Sequence, residues 1–126
     1  MARVLGVGGI FFRSKNPQAL GDWYRKWLEV PVTHPHGATF GPAAMPPGGL
    51  TVWAPFDDGT RYFEPSAREF MFNLVVDNLN EALAQVQEGG AQLVGTVEEY
   101  EYGRFGWFLD PEGNKVELWQ PLAPAV

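Results

Sequence analysis

The stretch "GRFGWFLDPEGNKVELWQP", residues 103–121, decides how this chain is read. Its centre, Asp110-Pro111-Glu112-Gly113-Asn114, has the composition of a tight turn, because proline fixes its backbone and glycine and asparagine tolerate unusual ones. Before it, Arg104 to Leu109 reads as a strand. After it, Lys115 to Gln120 alternates polar and apolar residues at the strand period. In that second strand Glu117 stands among Val116, Leu118 and Trp119. A lone carboxylate there is costly without a partner. Glu117 is therefore a metal ligand, a catalytic base or ligand anchor, or an acid held by hydrogen bonds.

Working outward, the same grammar occurs twice. Val4 to Ser14 is apolar and β-rich, and "NPQALGDWYRKWLEVP" (16–31) follows. Asn16 suits a helix N-cap and Pro17 the first helical position. Leu20, Trp23, Tyr24, Trp27 and Leu28 make one apolar helical stripe, which Pro31 ends. In the second half "EFMFNLVV" (69–76) is a strand, and "DNLNEALAQVQEGG" (77–90) is a helix. Asn78 caps it with Glu81 three residues on, Leu79, Ala82, Leu83 and Val86 face the core, and Gly89 and Gly90 end it. Short strands are expected at 32–40 and 50–56, then at 92–98, 104–109 and 115–120. "TVWAP" (51–55) parallels "ELWQP" (117–121). The chain is read as one domain over 1–126: a first module at about 4–56, a linker at 57–67, and a second module at about 68–121. Neither half can bury a sheet face alone, so the two are expected to curve around a shared cleft.

Composition bounds the function. The chain has 126 residues, enough for one core. It carries 15 acids against 9 bases, a net charge of −6. The bases are scattered, which argues against nucleic acid as a partner. There is no cysteine, so disulfides, thiolate metal sites and cysteine nucleophiles are excluded. No apolar run reaches membrane-spanning length, and Arg13 and Lys15 close the N-terminal apolar run before any cleavage-site pattern, so a cytoplasmic protein is expected. Aromatic residues make up 14%, five of them tryptophan, pointing to an aromatic-lined cavity or a subunit interface.

The paired modules, with "FLDPEGNKVELWQP" (108–121) as the most specific part and "NPQALGDWYRKWL" (16–28) as a supporting one, resemble the vicinal oxygen chelate superfamily over Val7 to Pro121. Glyoxalase I, bleomycin-resistance proteins and extradiol dioxygenases belong to it. The resemblance implies an α+β fold of two βαβββ modules forming an eight-stranded, curved, mixed sheet around a cleft, and a homodimer. In metal-using members it implies four cleft-facing ligands, one on the first and one on the last strand of each module, binding Zn, Ni, Mn or Fe. Carried onto this sequence, those positions are Gly9, Met71, Thr51 and Glu117. One carboxylate does not hold a divalent ion tightly, so no metal cofactor is expected.

Strand alternation then sorts the faces. Phe72, Leu74 and Val76, like Ile10 and Phe12, are expected to pack on the helices. Met71, Asn73, Val75, Gly9, Phe11, Arg13, Thr51, Trp53, Glu117 and Trp119 face the cleft. The catalytic or anchoring candidate is Glu117, and structural partners for it are Arg13, Arg104 or Asn73. Candidate ligand contacts are Asn73, Thr51, Trp53, Arg13 and Trp119, joined by Tyr102 and Arg104 from the loop "EEYEYGRFG" (98–106). His34 and His36 form an i, i+2 pair, a weak signal for a metal. "GVGG" (6–9) lies within a strand, which is the wrong context for a dinucleotide loop. Three functions follow: a lyase or isomerase of the glyoxalase type, favoured over a dioxygenase; a protein that sequesters a planar, cationic drug or metabolite; or an interaction module with a filled cavity.

Overall fold

The computed structural model describes residues 1–5, 7–35 and 37–122. His36 and Gly6, singled out above, lie outside them. The fold is α+β, with a mixed four-stranded sheet, a two-stranded ribbon and two helices among the described residues.

The first helix, α1, runs Pro17–Leu28, and the second, α2, Leu79–Glu88. Both begin as the sequence predicts. The Asn16 side chain accepts from the Ala19 amide and the Asn78 side chain from the Glu81 amide, each at 3.0 Å, satisfying donors that the first helical turn leaves over. α1 ends on Glu29 in a left-handed conformation, before Pro31.

The second half is a complete βαβββ unit. Its strands are β3 (Phe72–Val75), β4 (Gln92–Tyr100), β5 (Gly103–Leu109) and β6 (Lys115–Gln120), in the order β3-β6-β5-β4. β3 runs parallel to β6, and the rest is antiparallel. Pairings Leu109↔Lys115 and Trp107↔Glu117 fix the register of the hairpin built on the Asp110–Asn114 turn. A bulge between Val94 and Glu98 shifts β4, with Gly95 at a φ of +69°. One sheet face carries Phe108, Val116 and Leu118, buried with Leu79, Ala82 and Val86 of α2. Trp23, Tyr24 and Leu28 of α1 pack on this core, as do Phe72, Leu74 and Val76. Phe72, Leu74 and Val76 thus face the helices as the alternation predicts, whereas Ile10, expected with them, is 64% exposed and outside this core.

The first half departs from expectation. Instead of strands at 4–14, 32–40 and 50–56, the described residues form only a ribbon of β1 (Val32–Thr33) and β2 (Gly37–Ala38) and a short 3-10 helix at Pro42–Ala44. Among the described residues there are therefore six strands, and these do not make up the expected eight-stranded, two-module sheet. The reason is physical. Alternation specifies which way side chains point, but a strand exists only when another backbone takes its hydrogen bonds. Ile10, Phe11, Leu50, Val52 and Trp53 remain exposed, Phe11 at 97% and Trp53 at 79%. Phe12 does reach the second module, its ring 4.7 Å from that of Phe72.

The Asp110–Asn114 turn ties the halves together. The Asp110 carboxylate accepts from the amides of Glu112 and Asn114, from Asn114 Nδ2, and from the Tyr24 hydroxyl of α1 at 2.9 Å. Burial, then the Asp110 charge, pushes the Tyr24 phenol well above its usual range. Glu112 accepts from Ser14 Oγ at 2.6 Å and from the Lys15 and Asn16 amides, just ahead of α1.

Candidate functional site

The face of the sheet opposite the helices is aromatic. Phe105 and Trp107 of β5 and Trp119 of β6 are buried together, with Met71, Val75 and Val94 against them. Phe105 and Trp119 stack in parallel, ring centroids 6.0 Å apart. Trp119 Nε1 donates to the Tyr102 carbonyl at 2.9 Å, which anchors the β4–β5 turn over this face. Tyr102 stacks on Tyr100 and meets Phe105 edge-on.

At the centre lies Glu117, 9% exposed. Its partners come from three directions. Asn73 Nδ2 on neighbouring β3 donates to Oε1 at 2.7 Å. Trp107 Nε1, directly across the hairpin, donates to Oε2 at 2.9 Å. The Tyr62 hydroxyl, from the segment between the modules, donates to the same oxygen at 2.5 Å. Three donors satisfy a buried carboxylate that would otherwise be prohibitive there. Burial first, and then the Glu117 carboxylate, pushes the Tyr62 phenol above its ordinary range. Lys115, two residues before Glu117 and on the same face, is buried too; its ammonium donates to the Tyr62 carbonyl at 2.6 Å. Burial pulls the Lys115 pKa down, against the opposing pull of Glu117 and Glu98.

Of the residues singled out from sequence, the structure brings together Glu117, Asn73 and Trp119, with Tyr102 at the rim. Arg13, Thr51 and Trp53 are exposed, on segments outside the sheet. Neither Arg13 nor Arg104 pairs with Glu117. Arg104 alternates with Phe105, so it turns to the other face and bonds Asn80 of α2 at 3.2 Å. Sequence reasoning missed Trp107, Lys115 and Tyr62. Trp107 was findable by counting back from the turn, since residues pairing across that hairpin sum to a constant. Lys115 was findable as the i−2 neighbour of Glu117. Nothing local marks Tyr62, which reaches the site from a connecting segment.

The four positions implied for a metal are a poor donor set. Gly9 has no side chain, Met71 offers a soft thioether, and the Glu117 oxygens are engaged by N–H and O–H groups; these residues do not fit a divalent cation of the expected kind. Among the described residues no three His, Asp or Glu side chains cluster. His34 bonds Asp22 of α1 at 2.9 Å. No helix of the described residues is long and apolar enough to cross a membrane.

Comparison with known proteins adds a family. The profile described as Glyoxalase-like domain matches residues 9–119. Among solved structures, the chain is similar to a member of the glyoxalase/bleomycin resistance protein/dioxygenase superfamily from Sphaerobacter thermophilus DSM 20745, with 28% identity over 39% of this chain and 40% of that one, at a TM-score of 0.36. It is similar to an antibiotic binding protein from Streptomyces sp. CB03234, with 33% identity over 40% of this chain and 41% of that one, TM-score 0.36. A virulence protein from Salmonella typhimurium is 14% identical over 90% of this chain and 100% of its own, TM-score 0.49. The chain thus spans about two fifths of the first two. No curated protein matches it.

Proposed function

The chain belongs to the glyoxalase-like domain family, and from that premise we propose that it binds a small organic molecule on the aromatic face around Glu117, without a four-ligand metal centre. The observation that carries this reading is the buried Glu117 carboxylate, set among Trp107, Trp119 and Phe105 and accepting from Asn73, Trp107 and Tyr62. Apolar walls around one orienting polar group are what a small-molecule site needs. Binding is favoured over lyase or isomerase chemistry. A general base must offer a lone pair to a substrate proton, and three donors occupy all but about one of the roughly four acceptor positions of this carboxylate.

Part of the same reading is the missing half of the cleft. The apolar segments 7–13 and 50–56 supply the remaining strands of the eight-stranded sheet, in a homodimer, and bring Arg13, Thr51 and Trp53 to the ligand. Light scattering on the purified chain tests the dimer. For the site itself, a panel of small aromatic compounds is screened by tryptophan fluorescence and thermal shift on the wild type and Glu117→Gln. A ligand whose binding weakens about fivefold or more in Glu117→Gln, which keeps an acceptor carbonyl but loses the charge that strengthens the bond, supports the reading. Binding indifferent to Glu117 refutes it.

A further inference from the structure

We propose that Tyr62 is a built-in occupant of the ligand slot over Glu117, and that the ligand which displaces it is a phenol. This rests on the small-molecule reading above and names the ligand class. The Tyr62 side chain is held as a ligand is held. Its hydroxyl meets Glu117 Oε2 at 2.5 Å. Its ring lies edge-to-face with Trp107, centroids 6.4 Å apart, and the Lys115 ammonium sits 5.0 Å from its centroid. Those three walls belong to β5 and β6, the best-paired strands of the sheet.

The occupant belongs to a different kind of structure. Backbone hydrogen bonds within the segment around Tyr62 are local: Thr60 to Asp57, Glu64 to Arg61 and Ser66 to Phe63. Phe56 and Phe63 pack with one another and Phe56 stacks on Tyr62, so the strap keeps its own shape. It meets the sheet through Tyr62: the hydroxyl on Glu117, the carbonyl bonded to Lys115, and the ring against Trp107 and the Lys115 ammonium. Tyr62 is itself 41% exposed, so it is only partly covered where it sits. Segments held by local backbone bonds and few contacts to the core are the ones that open locally at low cost.

The walls select the chemistry of the replacement. Oε2 of Glu117 accepts, so the incoming group must donate; a carboxylate or phosphate would be repelled. The ammonium beside the ring favours an electron-rich aromatic face and disfavours a cationic ring. A phenol meets both conditions. The planar cation expected from the sequence alone does not, because Lys115 offsets the Glu117 charge on this face.

The probe is p-cresol, the free tyrosine side chain, and toluene, the same ring without the hydroxyl, is the control. Binding is followed by tryptophan fluorescence and calorimetry. p-Cresol should bind Tyr62→Ala about tenfold or more tightly than the wild type, because removing the internal competitor restores the fraction of open sites. Tyr62→Phe, which keeps the ring in place but not its hydrogen bond, should fall between them. Toluene should bind Tyr62→Ala about tenfold or more weakly than p-cresol, leaving the carboxylate one donor short. In the wild type, saturating p-cresol should raise trypsin cleavage after Arg61, as the strap is expelled. Equal binding of toluene and p-cresol, or unchanged cleavage at saturation, overturns the proposal. A non-phenolic ligand that depends on Glu117 yet leaves the strap closed overturns it as well, while small-molecule binding stands. A screen that finds no Glu117-dependent ligand of any kind overturns both.

Discussion

Replacing Glu117 with leucine should destabilise the fold by about 2 kcal/mol, a size set by which of its donors can reach water once the acceptor is gone. Asn73 is exposed and Tyr62 is 41% exposed, so both can turn to solvent. Trp107 cannot: it is 6% exposed, its ring is packed with Phe105 and Trp119, and its Nε1 donates to Glu117. A stranded buried N–H costs about 1–3 kcal/mol. Removing the carboxylate itself returns some energy, because a buried charge carries a desolvation cost. For a chain of this length a loss of about 2 kcal/mol lowers Tm by about 8 °C. Glu117→Gln should cost less than about 1 kcal/mol, since its carbonyl still accepts from Trp107 and Tyr62 while Asn73 rotates its amide. The sharper assay is a double-mutant cycle by urea unfolding, followed by circular dichroism. In Glu117→Leu/Trp107→Phe both partners are gone, so the pair should be at least about 1 kcal/mol more stable than the sum of the singles predicts. A Glu117→Leu variant within about 0.5 kcal/mol of the wild type, or a cycle without coupling, would show that this hydrogen bond does not hold the site together.

The Asp110–Asn114 turn gives a pH dependence. Burial raises the Glu112 pKa, but the Ser14 hydroxyl and the Lys15 and Asn16 amides outweigh it, and the folded-state value lies below the ordinary one. A depressed folded-state pKa contributes stability in full above the unfolded-state value and loses it as pH falls through the folded one. Urea midpoints should therefore fall below about pH 4 in the wild type and fall less steeply in Glu112→Gln; parallel curves would count against the contact. At Gly103, φ is +138° and an added Cβ would lie 2.5 Å from both the Gln120 carbonyl and Trp119 Nε1. Gly103→Ala should cost about 2 kcal/mol or more in unfolding free energy and disturb the near-ultraviolet signal of Trp119, because strain and a broken Trp119–Tyr102 bond add.

What could be read in advance follows from how far away each cause lies. α1 and α2 are written locally, in their caps and apolar stripes, and the structure starts both where Asn16 and Asn78 put them. β6 is bounded by a turn whose own residues define it, so its limits and its two faces were legible, as was the Asn73–Glu117 contact. The segments 4–14 and 50–56 carry the same alternation but must find a distant partner for every backbone bond, and pattern alone does not supply one. Tyr62 shows the opposite case. It sits in a segment with every mark of a connector, and it becomes part of the site because the strap's fold delivers a hydroxyl to a carboxylate 55 residues later in the chain.

The most specific stretch of sequence turns out to work mainly as a fastener. Asp110 and Glu112 spend their carboxylates on Tyr24 and on the turn before α1, and neither faces the aromatic cluster. Their effect on the site is indirect. By setting where the hairpin turns, they fix Trp107 opposite Glu117, so the indole N–H meets the carboxylate. That pairing explains how an acid can stay buried at position 117 without ligand-type residues at 9, 51 and 71. Two N–H groups and a hydroxyl place partial positive charge where, by the resemblance, a cation would otherwise stand. Such a carboxylate attracts hydrogen-bond donors rather than electrophiles. The same three contacts therefore hold the carboxylate in place and, under the proposed small-molecule reading, would set a preference for ligands that donate a hydrogen bond.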